Sequence, residues 1–499
     1  MLELGIIVAA ALAAAAILAP SARGRALGML GALVLTPVLL VVDLRDAPQL
    51  EPLLDRPAVA AAGAAAALLV LGALAVLLAR RPGVFAFLAV AAIPFRIPID
   101  AGGSTANLLV PLYAVIGAGA LAWLVPRLRS AGAYDPPRPN GWLERLLVGA
   151  VVLYAVQSLY SADESKALEQ VVFFYVPFAL LFALLRELDW TPRLLRRCFA
   201  VLVALALAFA AVGFVEYSLR ELLLNPKVIA SNQFEEYFRV NSLFFDPNIY
   251  GRFLALIMLG LAGILLWGRA QKAVVLASLA LAVLWAGLLL TLSQSSFAAL
   301  LTGLVVLAAL RWRPWRSLVA AAAVAVVAVG LVLAFPGALR LDLSSSDSID
   351  SATSGRFDLM RGGIDLARDR PVAGHGSGSF SREYRRSESA SSERAVSASH
   401  TIPITVAAEQ GVIGLAVYLA LLATALARLL RGAGRSPYRA VVAAAFVGLV
   451  LHTWLYAAFL EDPISWALLG IGVALARRAG ESEPPPEASP PPAARPVTA

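Results

Sequence analysis

The sequence predicts an all-α fold, a polytopic bundle of membrane-spanning helices. Of its 499 residues, 60% are hydrophobic and 15% are charged, and the mean hydropathy is +0.78. Soluble domains contain about 45–50% apolar and about 25% charged residues. The apolar residues form repeated blocks of about 18–22, the length that crosses a hydrocarbon core of roughly 30 Å. This composition excludes a cytosolic enzyme, a nucleic-acid binder and a secreted disulfide scaffold.

The blocks predict about 13–15 transmembrane helices, because two of them are short for a spanning helix. The first block lacks the basic residues that precede the core of a signal peptide, so we interpret it as a membrane helix. In chain order the blocks are residues 2–19, 26–43, 58–79, 83–99, 105–126, 143–160, 170–185, 198–216, 248–267, 273–291, 294–310, 317–335, 402–427, 440–459 and 463–476.

Arginines and lysines occupy every second loop between the blocks, from Arg23 and Arg25 to Arg477 and Arg478. The positive-inside rule assigns these loops to the cytoplasm, which leaves the N-terminus outside and the C-terminus inside. The predicted organisation is N-terminal transmembrane helices at 1–216, an extracytoplasmic loop at 217–247, transmembrane helices at 248–335, a large extracytoplasmic loop with the catalytic motifs at 336–401, C-terminal transmembrane helices at 402–478 and a disordered, proline-rich cytoplasmic tail at 479–499.

The residue types that hold metals or nucleotides are scarce. Cys198 is the single cysteine, which excludes an intrachain disulfide. His375, His400 and His452 are far apart and lack the spacing of metal ligands. Walker and dinucleotide-binding motifs are absent from the sequence. We therefore expect neither a metal nor a cofactor.

The large outer loop is predicted to contain an amphipathic helix that begins near Ser354 and stops before Pro371. We expect this helix to lie on the membrane surface or over the mouth of the bundle. Apolar residues at helical spacing define one face, and charged residues define the other. The apolar face carries Phe357, Met360, Ile364 and Ala367, and the opposite face carries Arg361, Asp365 and Arg368.

Two arginines in the outer loops are candidate anion ligands. Arg356 begins the amphipathic helix, and either contacts lipid phosphates or holds a substrate phosphate through its bidentate guanidinium. Arg239 has the same two interpretations, and its aromatic surroundings favour an anionic partner because an unpaired cation is costly there. The following Asp246 and Asn248 flank a proline, a pattern that predicts a helix cap, with a catalytic aspartate as the less favoured alternative.

Four further features have a structural and a functional interpretation. His400 precedes the helix that starts at Ile402, and is either an interfacial histidine or a base usable at neutral pH. His452 lies inside the membrane, where a functional site and a hydrogen bond to a neighbouring helix explain it equally well. Glu409 either orients a neighbouring group or pairs with an arginine. Gly374 and Gly376 either bring backbone amides to a phosphate or form a flexible loop, and the loop is favoured.

Three ordered motifs resemble the bacterial O-antigen ligase and O-antigen polymerase superfamily of membrane glycosyltransferases. Residues 238–256 are similar to its arginine followed by an aromatic-Asp-Pro-Asn helix start. Residues 354–380 are similar to its Ser-Gly-Arg helix and glycine loop, and residues 399–422 to its histidine-led helix. The resemblance covers roughly the second half of the chain.

The resemblance implies a metal-independent, inverting enzyme of the bacterial cytoplasmic membrane, with its active site on the periplasmic or extracellular side. The implied partners are a polyprenyl diphosphate-linked glycan as donor and a glycan, lipid or cell-wall acceptor, with membrane lipids around the bundle. In the implied roles, His400 is the base, and Arg239 and Arg356 hold the diphosphate. The predicted substrate-binding set is completed by six further residues, Arg361, Arg252, Asn248, Glu409, Gly374 and Gly376.

The chain departs from the family pattern at two places. It has His400-Thr401 where the family often has His-Asn, and Ser293-Gln294-Ser295-Ser296 where the family often has Ser-Arg. One cation near the outer face is therefore either missing or replaced by another, such as Arg252 or Arg361. The choice between a ligase and a polymerase stays open, with the ligase marginally favoured. A ligase uses a different molecule as acceptor, whereas a polymerase uses a second lipid-linked repeat.

A transporter or flippase of lipid-linked glycans and a non-catalytic scaffold are the alternatives from other classes. A transporter should place charges near the membrane midplane, whereas this sequence collects them in outer loops.

Overall fold

The computed structural model describes residues 2–44, 56–101, 104–129, 140–223, 238–312, 356–388 and 401–481, together with residues 315 and 319. Predictions for residues 224–237, Ser354, residues 389–400 and the tail after Glu481 fall outside this part. The elements are α1 Leu2–Leu18, α2 Ala22–Leu44, α3 Pro57–Arg80, α4 Pro82–Ala92, β1 Ile97–Ala101, β2 Ser104–Leu108, α5 Val110–Arg129, α6 Trp142–Gln157, α7 Glu164–Gln170, α8 Val176–Leu185, α9 Pro192–Leu219, α10 Pro247–Trp267, α11 Gln271–Thr291, α12 Gln294–Arg311, α13 Arg356–Asp369, α14 Phe380–Glu388, α15 Ile402–Leu430, α16 Pro437–Leu455 and α17 Pro463–Glu481.

Within the described residues, 11 helical segments are long and apolar enough to cross a membrane, and α1 and α4 are shorter apolar helices. A π-helical turn joins α7 and α8 into one of these segments. Every predicted block overlaps a helix except residues 317–335, of which only residue 319 is described. The prediction of an all-α, polytopic membrane bundle is confirmed.

The prediction of helix at residues 93–99 and 105–109 was wrong. The helix α4 has only 11 residues, and the chain then forms an antiparallel hairpin of β1 and β2 in which Ile97 pairs with Leu108. Pro94 and Pro98 cannot donate the backbone hydrogen bonds that a helix needs. The hydrophobic length of the fourth and fifth blocks therefore includes residues that are extended rather than helical.

The amphipathic helix α13 exists, and Ala367 of its predicted apolar face packs as expected, but Met360 and Ile364 do not. Leu359 and Leu366 are its buried apolar residues, and they pack with Phe380 of α14 and with α15. Met360 and Ile364 are exposed. Leucines seven residues apart lie on the same helix face, so the packed stripe is displaced by one position from the predicted one.

The helix α10 lies at the centre of the bundle. In its membrane-crossing stretch 78% of residues are buried, against 11% in the peripheral helix α3. Phe209, Phe244, Tyr250 and Phe253 form a set of aromatic contacts with ring centroids 5.5 to 5.9 Å apart. This aromatic cluster fixes the chain that precedes α10 against α9, and so positions the loop that carries Arg239.

Candidate active site

The site is built around the N-terminus of α10, at the end of the bundle that the positive-inside rule assigns to the exterior (the outer end). Asp246 is the N-cap of α10, and its Oδ1 accepts a hydrogen bond of 2.6 Å from the backbone amide of Asn248. Its Oδ2 accepts a hydrogen bond of 2.7 Å from the hydroxyl of Tyr456. The predicted cap is confirmed, and it also ties α10 to the end of α16.

Arg239 is half-buried beside this cap. Its Nε donates to the carbonyl oxygen of Thr291 at 2.9 Å, and its Nη2 donates to Oδ1 of Asn248 at 3.2 Å. The neighbouring Val240 donates its backbone amide to the carbonyl oxygen of Leu290 at 3.2 Å. The end of α11 and the start of α10 therefore fix the direction of the guanidinium.

A buried set of hydroxyls and one histidine lies directly behind Asn248. Ser296 Oγ donates to the Asn248 carbonyl oxygen at 3.2 Å, and His452 Nε2 lies 3.2 Å and 3.3 Å from the hydroxyls of Ser295 and Ser296. Ser293 Oγ is 2.8 Å from Ser296 Oγ. His452 thus bonds a neighbouring helix, as one interpretation predicted. In this chain, hydroxyls occupy the segment where the family frequently has Ser-Arg.

Arg252 lies one turn further along α10 and is fully buried. It forms an ion pair with Asp462, and its Nη1 is 3.5 Å from the carbonyl oxygen of Ala458. Asp462 also caps α17, since its Oδ1 accepts a hydrogen bond of 2.9 Å from the amide of Ile464. Sequence reasoning missed Asp462, although its Asp-Pro pair repeats the pattern that identified Asp246.

Two more ionisable residues that the sequence analysis missed adjoin this ion pair. Burial lowers the pKa of Arg96, the attraction of Asp462 raises it and the positive charge of Arg252 lowers it further. The Arg96 guanidinium also lies 5.1 Å from the centre of the Phe245 ring. Burial raises the pKa of Glu461 to about 6, against the positive charge of Lys166, which lowers it. The outer ends of α4, α10 and α17 therefore bring several buried charges together.

Glu409 and the glycine loop (residues 374–378) form the second half of the site. The Glu409 carboxylate accepts backbone hydrogen bonds from Gly378 at 2.9 Å and from Phe380 at 3.1 Å. The amide of Gly376 donates to the Glu409 carbonyl oxygen at 2.8 Å, and that of Gly374 donates to Arg370 at 3.0 Å. The amides of all three glycines thus serve as donors within the protein.

The preferred interpretation of the glycine loop as flexible was wrong. Gly374, Gly376 and Gly378 have φ of +70°, +94° and +77°, which side chains rarely tolerate. A Cβ at Gly374 would overlap the backbone of Glu409 on α15, and one at Gly376 would overlap the backbone of Ser161. The glycines are needed because the loop is seated tightly between α15 and the end of α6.

A cavity of about 50 Å³ lies between Glu461 and Glu409. Glu461 lines it from one half and Glu409 from the other, and Ile402, at the start of α15, lies at the same cavity. Of the predicted site residues that the structure describes, Glu409 alone is among those lining this cavity. Arg356 is the first residue of α13, but its side chain is outside the described part, as is all of His400. Arg361 lies on the exposed face of α13.

The structure therefore brings Arg239, Asn248 and Arg252 together at one half, and Glu409, Gly374 and Gly376 at the other. Thr401, the N-cap of α15, is the first described residue after His400. Among the described residues, no group of three or more His, Cys, Asp or Glu side chains is arranged to hold a metal ion.

Residues 279–419 match the family model described as O-antigen ligase. This matched segment, less than a third of the chain, is similar to the O-antigen ligase family. The match confirms the resemblance predicted from the sequence motifs, and supports a ligase or polymerase family of membrane glycosyltransferases. The matched segment includes Arg356, the glycine loop, His400 and Glu409, whereas Arg239 lies before it. Comparison with the curated proteins found no matching sequence.

Proposed function

We propose that this protein transfers a glycan from a polyprenyl diphosphate carrier to an acceptor hydroxyl. The reaction would take place at the outer face of the bacterial cytoplasmic membrane, without a metal. The observation that carries the proposal is Arg239, a half-buried guanidinium held in a fixed direction at the outer end of the central helix. The match to the O-antigen ligase family supports the same class of reaction.

Arginine suits the departing diphosphate for a physical reason. Negative charge accumulates on the leaving group in the transition state, and fixed cationic donors stabilise it without reorganising. Arg239 is held by Thr291 and Asn248, so little conformational freedom remains to be lost on binding. Arg356, at the start of α13, is the second proposed diphosphate ligand. Arg252 is not proposed as a direct diphosphate ligand, because it is fully buried and its charge is paired with Asp462.

His400 is the proposed base. It would take the proton of the acceptor hydroxyl while the hydroxyl oxygen attacks the anomeric carbon of the donor. The bond between that carbon and the diphosphate oxygen breaks, its electron pair leaves with the diphosphate, and the anomeric configuration inverts. Support for this role comes from the position of His400 directly before α15, whose first residue borders the cavity between Glu461 and Glu409.

The charges of the described residues favour a transferase over a transporter. Arg96, Arg239 and the Arg252–Asp462 pair gather at the outer ends of helices, where loops meet. Alternating access instead requires a site near the membrane midplane between two moving halves. A ligase is proposed ahead of a polymerase, and the acceptor decides between them.

The test is a transfer assay with purified full-length protein in detergent, EDTA and a polyprenyl diphosphate-linked glycan. We expect wild type to release polyprenyl diphosphate, His400→Ala to release none, and added imidazole to restore part of the rate. Wild-type activity of His400→Ala would overturn the assignment of the base. No release with lipid-core, cell-wall or lipid-linked acceptors would overturn the transferase, and release only with a second lipid-linked repeat would identify a polymerase.

Arginine variants test the diphosphate contacts separately. Arg239→Ala and Arg356→Ala should weaken use of the donor more than use of the acceptor, and lysine should restore little because it lacks the bidentate fork. The exposed Arg368 of α13 provides a matched control, since Arg368→Ala removes the same charge from the same helix. Equal losses in Arg356→Ala and Arg368→Ala would contradict a specific contact at Arg356.

A further inference from the structure

A groove of about 530 Å³ opens at the opposite, inner end of the bundle, between the ends of α2, α3, α4, α5 and α8. Ligand pockets usually have volumes of about 300–1,000 Å³. Most of its lining is apolar, including Phe85 and Leu184, and the charged residues are Arg25, Arg127 and Glu187. The groove therefore has mostly apolar walls and a positively charged end.

The cationic end is built from arginines on different segments. Arg25 is buried, with its Nε donating to Ala19 at 2.9 Å and its Nη1 3.6 Å from Glu187. The guanidinium of Arg127 lies 4.0 Å from the ring centre of Trp123. Behind the wall, burial and the positive charge of Arg25 together lower the pKa of Arg186 to about 10. Among the residues that line the groove, two arginines therefore accompany one carboxylate, Glu187.

The indole of Trp123 also indicates a ligand with acceptor oxygens. Trp123 lines the groove, and its buried Nε1 has no hydrogen-bond partner among the described residues. Leaving a buried donor unsatisfied costs about 1–3 kcal/mol, so such donors usually have a partner. Tryptophans at the membrane interface commonly present an apolar ring to lipid and the N–H to polar groups.

We propose that this groove binds an anionic glycerophospholipid of the cytoplasmic leaflet. Its phosphate would lie against Arg127 and Arg25, an ester or phosphate oxygen would accept from Trp123, and its acyl chains would follow the lipid-exposed side of α3. The outward-facing Leu68 and Leu69 of α3 are 67% and 74% exposed, so this side is open to lipid. Basic pockets between helices on the cytoplasmic side suit anionic headgroups, which are enriched in that leaflet.

The experiment is native mass spectrometry of delipidated full-length protein incubated with phosphatidylglycerol or phosphatidylcholine. Wild type should retain phosphatidylglycerol preferentially. Arg127→Gln should weaken that binding about tenfold, or about 1.4 kcal/mol. Trp123→Phe should weaken it several-fold while keeping the ring beneath Arg127. Equal retention of both lipids by wild type would overturn the proposal.

The matched control is Arg129→Gln, which removes one charge from an exposed residue two positions along α5, outside the groove. It should leave phosphatidylglycerol binding unchanged. An equal loss in Arg129→Gln and Arg127→Gln would mean a general attraction of lipid to basic protein and would contradict a defined site. Melting temperatures in detergent, expected to be similar for all variants, exclude unfolding as the cause. The outcome does not depend on glycan transfer.

Discussion

The side-chain oxygen of Asn248 accepts a hydrogen bond of 3.2 Å from Nη2 of Arg239. The carbonyl oxygen of the same asparagine accepts from Ser296, which also contacts His452. A short chain of hydrogen bonds thus runs from a histidine inside the membrane to the arginine proposed to hold the donor. Asn248 therefore links α12 and α16 to Arg239 and helps to orient its guanidinium.

Asn248→Ala should raise the KM for the lipid-linked donor roughly tenfold, the effect of losing one hydrogen bond of about 1.5 kcal/mol from a charged group, with a smaller effect on the acceptor. In a double-mutant cycle, the substitution should have little further effect once Arg239 is alanine, because both act through one contact. Steady-state kinetics of the four proteins measure this coupling. Gln294→Ala, which removes an exposed amide at the same end of the bundle, is the control. Fully additive effects of Asn248→Ala and Arg239→Ala would contradict the positioning role.

The buried pair of Arg252 and Asp462 should control stability. Asp462→Asn keeps a capping side chain for α17 but leaves the Arg252 charge buried without its carboxylate, a change that costs about 3–5 kcal/mol. Its melting temperature in detergent should fall strongly, and adding Arg252→Met should recover much of the loss. Asp189→Asn breaks the exposed pair with Arg478, which is worth about 0–1 kcal/mol, and serves as the control. Equal melting temperatures for the two single variants would show that the buried pair contributes no more than a surface one.

The local sequence was sufficient for the features that depend on near neighbours. Hydrophobic length predicted the bundle, and the Asp246-Pro-Asn pattern predicted the cap of α10, because a cap bonds residues two or three positions away. The same local pattern at Asp462 could have identified the start of α17. Its pairing with Arg252 could not be predicted, since it joins segments far apart in the chain. The contacts between the glycine loop and Glu409 were missed for the same reason. The buried face of α13 was assigned incorrectly because the sequence does not show which helices pack against it.

Gly376→Ala should destabilise the outer loop. The residue has φ of +94°, and a Cβ there would overlap the backbone of Ser161, which cannot move away as a flexible side chain can. Limited proteolysis should cut the 374–388 region faster in this variant, and its melting temperature should fall. Gly72→Ala on the lipid-exposed helix α3, where no atom lies within 4 Å of the added Cβ, should be neutral or stabilising by up to about 1 kcal/mol. Identical proteolysis of wild type and Gly376→Ala would contradict the tight seat.

Glu461 should make stability depend on pH in a direction set by its burial. Its pKa rises from 4.5 to about 6 in the folded protein, so the folded state binds this proton more tightly than the unfolded state. Below pH 4.5 both states are protonated. As the pH rises through 6, the folded state alone bears the cost of burying the ionised carboxylate, and the free energy of unfolding falls by roughly 1–2 kcal/mol.

Glu461→Gln removes this titration and keeps the shape of the side chain. The variant should therefore be more stable than wild type at pH 7.5 and equal to it near pH 4, when the two are compared by thermal unfolding in detergent at each pH. Taking the difference between the two proteins removes the contribution of the other carboxylates. Glu221→Gln, at an exposed residue after α9, should show no such dependence. A wild type that is more stable than Glu461→Gln at pH 7.5 would mean that the attraction of Lys166 outweighs burial at this carboxylate.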